Sequence, residues 1–140
     1  MKKALLLLVI ALTLAVLLCA KRIVGQNPPP AKKASHVQIT EGPELEPTHL
    51  SAEAIVRWTS NNPGGSDEHY AVLHYGTDPK HLDLTAKSHI RLNQQHWYTV
   101  FRVRAMGLQR HTTYYYKVDS QDAHGVSDGV DSPVKSFTTQ

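Results

Sequence analysis

The sequence predicts an all-β fold, a seven-stranded antiparallel sandwich preceded by one N-terminal hydrophobic helix. Beyond residue 35, short runs of alternating apolar and polar residues recur, which is the pattern of strands with one buried face. Turn signals rich in Pro, Gly, Asn and Asp separate these runs, and no longer stretch there carries apolar residues at helical spacing. Short strands in this number are typical of two packed antiparallel sheets.

The predicted strands follow one another at close spacing, over residues 36–40, 54–58, 71–75, 82–86, 98–106, 112–118 and 134–139. Side chains two residues apart share one face of a strand, so alternation separates inward from outward positions. Six core candidates follow from this pattern, namely Trp58, Leu73, Tyr75, Tyr114, Tyr116 and Val118. Tyr115 then points outward, and we expect it to share an exposed face with Arg57, Arg102 and Arg104.

The N-terminal segment is strongly apolar, since Ala4 to Ala20 is interrupted only by Thr13. As a helix this run is about 26 Å long, near the short limit for crossing a hydrocarbon core of roughly 30 Å. A cleaved signal, a lipoprotein signal acylated at Cys19 and an uncleaved anchor all remain open, although Leu18 is large where the first two require a small residue. We therefore predict a signal peptide or membrane anchor over residues 1–22 and an extracytoplasmic or secreted folded domain.

Residues 23–35 contain three consecutive prolines and no periodic pattern of apolar residues. This composition predicts an extended linker before a domain at residues 36–140.

The basic residues are concentrated before the predicted domain. The whole chain has a net charge of +3, but six of its fifteen basic residues precede Ala34, and nine basic residues face twelve acidic ones from there onward. The domain is mildly acidic, which argues against nucleic-acid binding. The single cysteine, Cys19, excludes a thiol nucleophile or disulfide in the domain.

The run from Gly107 to Val118, GLQRHTTYYYKV, resembles the fibronectin type III pattern, in which a leucine precedes a Thr-x-Tyr-x-Tyr-x-Val strand. The resemblance implies an immunoglobulin-like sandwich, a core position for Leu108, and a tyrosine corner closed by the hydroxyl of Tyr114. The Leu-x-Tyr-Gly element at Leu73 and the Ser-Phe-Thr-Thr ending are especially similar to the N-terminal fibronectin-like domain of purple acid phosphatases. In that family a following domain carries the dinuclear metal site, and we expect this chain to lack it.

Several residue groups suggest chemistry, and each also has a structural explanation. Nine histidines show no close metal-binding pair, and we expect His69, His74, His81 and His89 to point outward or lie in loops. A second group of carboxylates surrounds a glycine-containing loop without the spacing of a calcium loop, and consists of Asp119, Asp122, Asp128 and Asp131. We predict turn residues there, and neither a metal site nor a cofactor.

No nucleophile motif is present, so we predict a protein that is not an enzyme. Two possible functions, one structural or binding and one accessory to an enzyme, are consistent with the sequence. The first is an exported or membrane-tethered spacer or binding domain at a bacterial-type cell envelope, contacting the membrane through its N-terminal segment and an unknown protein or glycan through the arginine face. The second is an accessory domain for a purple acid phosphatase-like metallophosphatase whose catalytic part is on another chain or lost.

Overall fold

In a computed structural model, residues 32–130 and 132–140 are described, and they form seven β-strands in two antiparallel sheets. The predicted N-terminal helix lies outside the described residues. Within residues 32–130 and 132–140 no helix is long and apolar enough to cross a membrane. The strands are β1 (Ile39–Glu46), β2 (Glu53–Asn61), β3 (Glu68–Gly76), β4 (Leu84–Arg91), β5 (Tyr98–Met106), β6 (Thr113–Asp122) and β7 (Lys135–Thr138).

One sheet has the order β1-β2-β5 and the other the order β4-β3-β6-β7. The all-β class and the seven strands agree with the prediction, but two boundaries differ. The strand predicted at residues 82–86 extends to Arg91, because the polar run there still places Ala86 and Ile90 against the core. The first strand begins at Ile39 and contains a register shift between Glu41 and Glu44.

The shift in β1 depends on Gly42, which has φ of +82°. A Cβ atom at this position would lie 2.8 Å from the carbonyl oxygen of Arg57 on the neighbouring strand. Glycine is therefore required, because it alone allows both the left-handed conformation and this close backbone approach. The irregularity lets β1 pair with β2 on both sides of the shift, from Ile39 to Glu46.

The core lies between the sheets and is built from side chains of alternating positions on β2, β3, β5 and β6. Trp58 and Phe101 are fully buried and stack with ring centroids 5.1 Å apart and planes 8° apart. The structure buries all seven residues that we proposed for the core, which are Trp58, Leu73, Tyr75, Leu108, Tyr114, Tyr116 and Val118. Tyr115 lies half-buried on the opposite face of β6.

The chain enters and leaves the sandwich at opposite ends. Near its start, the amide of Ala34 donates to the carbonyl oxygen of Pro63 at 2.7 Å, where β2 ends. Near its finish, the amide of Thr139 donates to the carbonyl oxygen of Thr112, just before β6 begins. We call the first end, which also holds the connections at residues 62–67, 92–97 and 123–129, the linker end, and the other the far end.

Candidate functional site

The three arginines of the predicted binding face lie together on the outer face of the β1-β2-β5 sheet. Arg57 on β2 is directly opposite Arg102 on β5, and Arg104 follows two residues later on the same strand. Tyr115 does not join them, because β6 belongs to the other sheet. The predicted grouping of Tyr115 with the arginines is therefore wrong: alternation gives the inward or outward side of a strand but does not give the sheet.

Glutamates of β1 neutralise the first of these arginines. Arg57 Nη1 lies 3.4 Å from Glu44 Oε1 and 3.7 Å from Glu41 Oε2. Glu41 also accepts a hydrogen bond from the Thr59 hydroxyl at 3.0 Å, which fixes its carboxylate over β2. The guanidinium is thus held between two carboxylates of the neighbouring strand and is not a free cation.

The other two arginines are also paired. Arg102 forms an ion pair with Glu46 across the intervening strand β2. Arg104 Nη1 lies 3.5 Å from the largely buried Glu53 Oε2. Between these side chains, Ile55 is only 5% exposed although it belongs to the outer face. We attribute its burial to the aliphatic parts of the long charged side chains, which cover apolar surface while their heads remain hydrated.

A cluster of buried polar side chains lies inside the linker end. His69 of β3, Ser120 of β6 and Asp128 of the following connection are all almost completely inaccessible to solvent. The Ser120 hydroxyl donates to Asp128 Oδ2 at 2.7 Å, and His69 Nε2 lies 3.4 Å from the same oxygen. Lys33 Nζ approaches both Asp128 Oδ1 and Asp122 Oδ2 at 3.6 Å. Lys33, which belongs to the predicted linker, therefore lies against the sandwich.

This cluster contains the residue types of a serine hydrolase but not the arrangement. Nucleophilic catalysis requires the serine hydroxyl to donate to histidine, which in turn is oriented by the carboxylate. Here the hydroxyl of Ser120 donates to Asp128, and both it and His69 are sealed from solvent. The arrangement orders the connection at residues 123–129 and holds Lys33, and it offers no accessible nucleophile.

The four histidines that we expected at the surface or in loops fall into three groups. His81 and His89 are exposed, and His89 Nε2 contacts the carboxylate of Glu68. His74 is half-buried on the outer face of β3, and burial lowers the pKa of its imidazole, with Lys117 and Lys87 acting in the same direction and Asp119 opposing them. The expectation for His69 is wrong, because this side chain points into the sandwich. Within the described ranges, no group of three or more His, Cys, Asp or Glu side chains is placed to hold a metal ion.

Carboxylates near the end of β6 accept hydrogen bonds from the connection that follows the strand. Asp122 Oδ1 accepts hydrogen bonds from the amides of His124 at 2.9 Å and Val126 at 3.0 Å. The backbone donor of Val126 is the main reason that the pKa of Asp122 is lowered, and the charge of Lys33 adds to it. Asp119 accepts from the Ser127 hydroxyl at 2.9 Å in the same turn. These contacts are those of turn formers; Asp131 lies outside the described residues.

The linker end also carries an exposed aromatic pair, which the alternation of residues does not predict. Trp97 is 78% exposed and packs edge-on against Tyr98, with ring centroids 4.9 Å apart. The backbone of this segment is fixed, because the Asn62 side-chain amide donates to the carbonyl oxygens of Asn93 and His96, and its main-chain amide donates to that of Trp97. A large aromatic side chain that is exposed to solvent on a fixed backbone is a candidate contact surface.

The sequence profile of the purple acid phosphatase N-terminal domain matches residues 40–139. The chain belongs to the purple acid phosphatase N-terminal domain family. The match runs from the start of β1 to just beyond β7, so it covers every strand of both sheets. The family resemblance predicted from the sequence is thereby confirmed. The tyrosine corner is present as well, since the Tyr114 hydroxyl accepts a hydrogen bond from the amide of Gln109 at 3.0 Å.

This family member also resembles solved structures at low sequence identity. Seventeen chains match, among them the sensor domain of the anti-sigma factor RsgI4 from Pseudobacteroides cellulosolvens. That likeness covers 81% of this chain and 97% of the sensor domain, at 20% identity and a TM-score of 0.40. No curated protein matches the chain significantly.

Two features of the purple acid phosphatase N-terminal domain in this chain had a signal in the sequence. His69 is separated from Ala71, Leu73 and Tyr75 by even numbers of residues, so its side chain lies on the same face of β3 as theirs. Extending the alternating pattern by two residues toward the N-terminus therefore predicts that His69 points into the core. Trp97 lies in a polar segment directly before the alternating run of β5. An aromatic residue in such a segment is not expected in the core, and this is the signal that Trp97 is exposed. The contact of Asp128 with His69 had no local signal, because it joins residues 59 positions apart.

Proposed function

We propose that this chain is a non-catalytic module, exported or membrane-tethered, that acts as a spacer or binding domain at the cell envelope. The observation that carries the proposal is the placement of the two ends of the sandwich. Lys33 lies at the linker end and Thr139 at the far end, and the nine-residue strands between them span about 30 Å. A module built this way separates what is attached at one end from what is attached at the other.

The charged face supports the spacer function more than recognition of an acidic partner. Each of Arg57, Arg102 and Arg104 already faces a glutamate of its own sheet. A polyanion would have to displace these carboxylates, and the cost of breaking the existing ion pairs offsets part of the free energy gained from phosphate contacts. A protein or glycan partner on this face would have to contact neutralised ion pairs.

The envelope location rests on the sequence. An apolar run at residues 4–20 begins after two lysines, and a proline-rich segment at residues 23–35 follows it. An export signal or anchor, a spacer and a cysteine-free sandwich in this order are typical of a domain displayed outside the cytoplasm.

Expression of the full-length chain with its own N-terminus tests the location. We expect it in the membrane fraction after detergent-free breakage, resistant to alkaline carbonate, and open to protease added from outside. A Cys19→Ser variant is the matched control: unchanged membrane retention indicates an apolar anchor, and release indicates acylation. A soluble chain whose N-terminus begins at or after Lys21 would contradict tethering and leave export by a cleaved signal.

A second function is favoured by the family match, namely an accessory domain acting with a metallophosphatase partner. The far end offers a surface for such a partner, a groove of about 260 Å³ that includes Leu45, Leu50 and Phe137, with Leu50 60% exposed. Exposed apolar residues beside a groove are typical of protein contact sites.

A phosphatase assay of the purified chain with added iron, zinc or manganese separates the two functions from an enzymatic one. We expect no turnover by the chain alone. Turnover that survives purification and saturates with substrate would overturn the non-catalytic proposal. Increased activity or stability of a co-purified metallophosphatase, lost when Leu50 is replaced by Asp, would favour the accessory function.

A further inference from the structure

The exposed aromatic patch at the linker end consists of Trp97, Tyr98 and Val100, which are 78%, 36% and 41% exposed. The two rings contact each other, and Tyr98 and Val100 share the outer face of β5, so the three side chains form one continuous surface. Val126, 56% exposed, lies at the same end. The main-chain amide of Asn62 donates to the carbonyl oxygen of Trp97, which fixes the backbone that carries the patch.

The patch lies next to the point where the chain arrives from the apolar N-terminal run. Asn61 is paired with Tyr98 in the β2–β5 ladder, and its side-chain amide donates to the carbonyl oxygen of His36 at 3.0 Å. Ala34 is bonded to Pro63, the residue after Asn62. The side chains of the patch and the incoming chain therefore occupy the same end of the sandwich.

The length of chain before this point limits how far the patch can be from the apolar run. Twelve residues separate Ala20 from Lys33, and a fully extended chain of this length spans at most about 43 Å. If residues 4–20 are held in a bilayer, the linker end stays within about this distance of that bilayer.

We propose that Trp97 and Tyr98 insert into the headgroup region of the bilayer that holds the N-terminal segment, and so orient the sandwich on the membrane. This inference rests on the proposed membrane tether. Tryptophan and tyrosine favour the membrane–water interface, because an apolar ring with a polar N–H or O–H matches the change from hydrocarbon to water. Trp97 and Tyr98 present both groups at one exposed point.

The contact depends on the tether and on the aromatic rings rather than on charge. Near the patch, the carboxylate of Asp67 is paired with Arg91 at 2.9 Å, and Lys33 is shared between Asp122 and Asp128. Arg91 and Lys33 are therefore already matched by carboxylates and offer little free charge to anionic lipid. A short tether supplies an effective concentration in the millimolar range, so a weak interfacial contact suffices when it forms within one chain.

The fluorescence of the full-length chain in phospholipid vesicles tests this inference. The chain has two tryptophans, and Trp58 is fully buried, so quenching from the bilayer or the solvent reports Trp97. Lipids brominated near the headgroup end of the acyl chain are compared with the same lipids without bromine. A Trp97→Phe variant measures the contribution of Trp58 alone, and acrylamide measures exposure to water.

We expect brominated lipid to reduce the emission of the full chain and to leave the Trp97→Phe variant unchanged. We also expect vesicles of neutral and anionic lipid to give similar quenching, and acrylamide to quench less in vesicles than in detergent. Vesicle flotation is measured on the same samples. A chain that does not float overturns the tether and this inference together.

A chain that floats but shows no quenching by brominated lipid overturns this inference alone. Acrylamide then identifies what replaces it: full accessibility means an uncovered patch, and protection that depends on protein density means contact with a second copy. A variant with Tyr98→Ser should reduce the bromine effect without changing flotation. An unchanged bromine effect in that variant would contradict the paired insertion of the two rings.

Discussion

Replacing Tyr114 by Phe removes a single hydroxyl from the core and leaves the ring contacts in place. The ring packs against Phe137 at 5.7 Å and edge-on against Tyr75 at 6.1 Å, and phenylalanine retains both contacts. What is lost is the acceptor for the amide of Gln109, a hydrogen bond of 3.0 Å. A typical net value for such a bond is about 0.5 to 1.5 kcal/mol. Because Gln109 is exposed and water can solvate its amide, we expect the lower part of that range.

Urea denaturation followed by the fluorescence of Trp58 measures the change in the free energy of unfolding. A loss of about 0.5 to 1 kcal/mol corresponds to a fall in Tm of roughly 2 to 8 °C for a domain of this size. The matched control is Tyr115→Phe, since the hydroxyl of Tyr115 bonds to no described residue, and there we expect no change. Equal stability of both variants, or a loss above about 3 kcal/mol for Tyr114→Phe, would refute the assignment of this bond as the corner.

Three further changes test other parts of the structure. Trp58→Ala deletes a fully buried aromatic ring and should cost about 3 to 5 kcal/mol in denaturation experiments; an unchanged midpoint would contradict the core. Asp128→Ala removes the acceptor of the buried Ser120 hydroxyl and the carboxylate beside His69, and should cost about 1 to 3 kcal/mol. His74 should titrate by NMR below its ordinary pKa, because burial disfavours its charged form. Its contribution to stability is then present above pH of about 6.5 and lost as the pH falls through the folded-state pKa, a dependence that His74→Gln should reduce.

The sequence was sufficient for the fold because alternation and turn residues act locally. Trp58, Tyr114 and Tyr116 follow the period of two along single strands, and their burial required no knowledge of which strands are neighbours. The family resemblance depends on the same local spacing around Tyr114. The location of the apolar core was therefore predictable from short stretches of chain.

The surfaces could not be predicted in the same way, because they combine residues from different strands. Tyr115 and Arg102 have the same outward parity but lie on different sheets, and only the strand order separates them. Ile55 occupies a position on β2 whose side chain points away from the core, and it is still buried. The ion pair between Glu46 and Arg102 crosses its strand and covers it. Lys33 lies at the end of a linker-like segment, and only the position of Asp122 shows that it contacts the sandwich.

The opposite placement of the chain ends has a mechanical consequence. A load applied between Lys33 and Gln140 pulls β1 toward the linker end and β7 toward the far end, each along its own axis. The backbone hydrogen bonds of both edge strands are then loaded in shear and resist together, rather than opening one after another like a zipper. Lys135 Nζ, which donates to the carbonyl oxygen of Pro43 at 2.7 Å, links these two strands directly across the sandwich. A module stretched between two attachment points would therefore yield abruptly, at one force, rather than lengthen gradually.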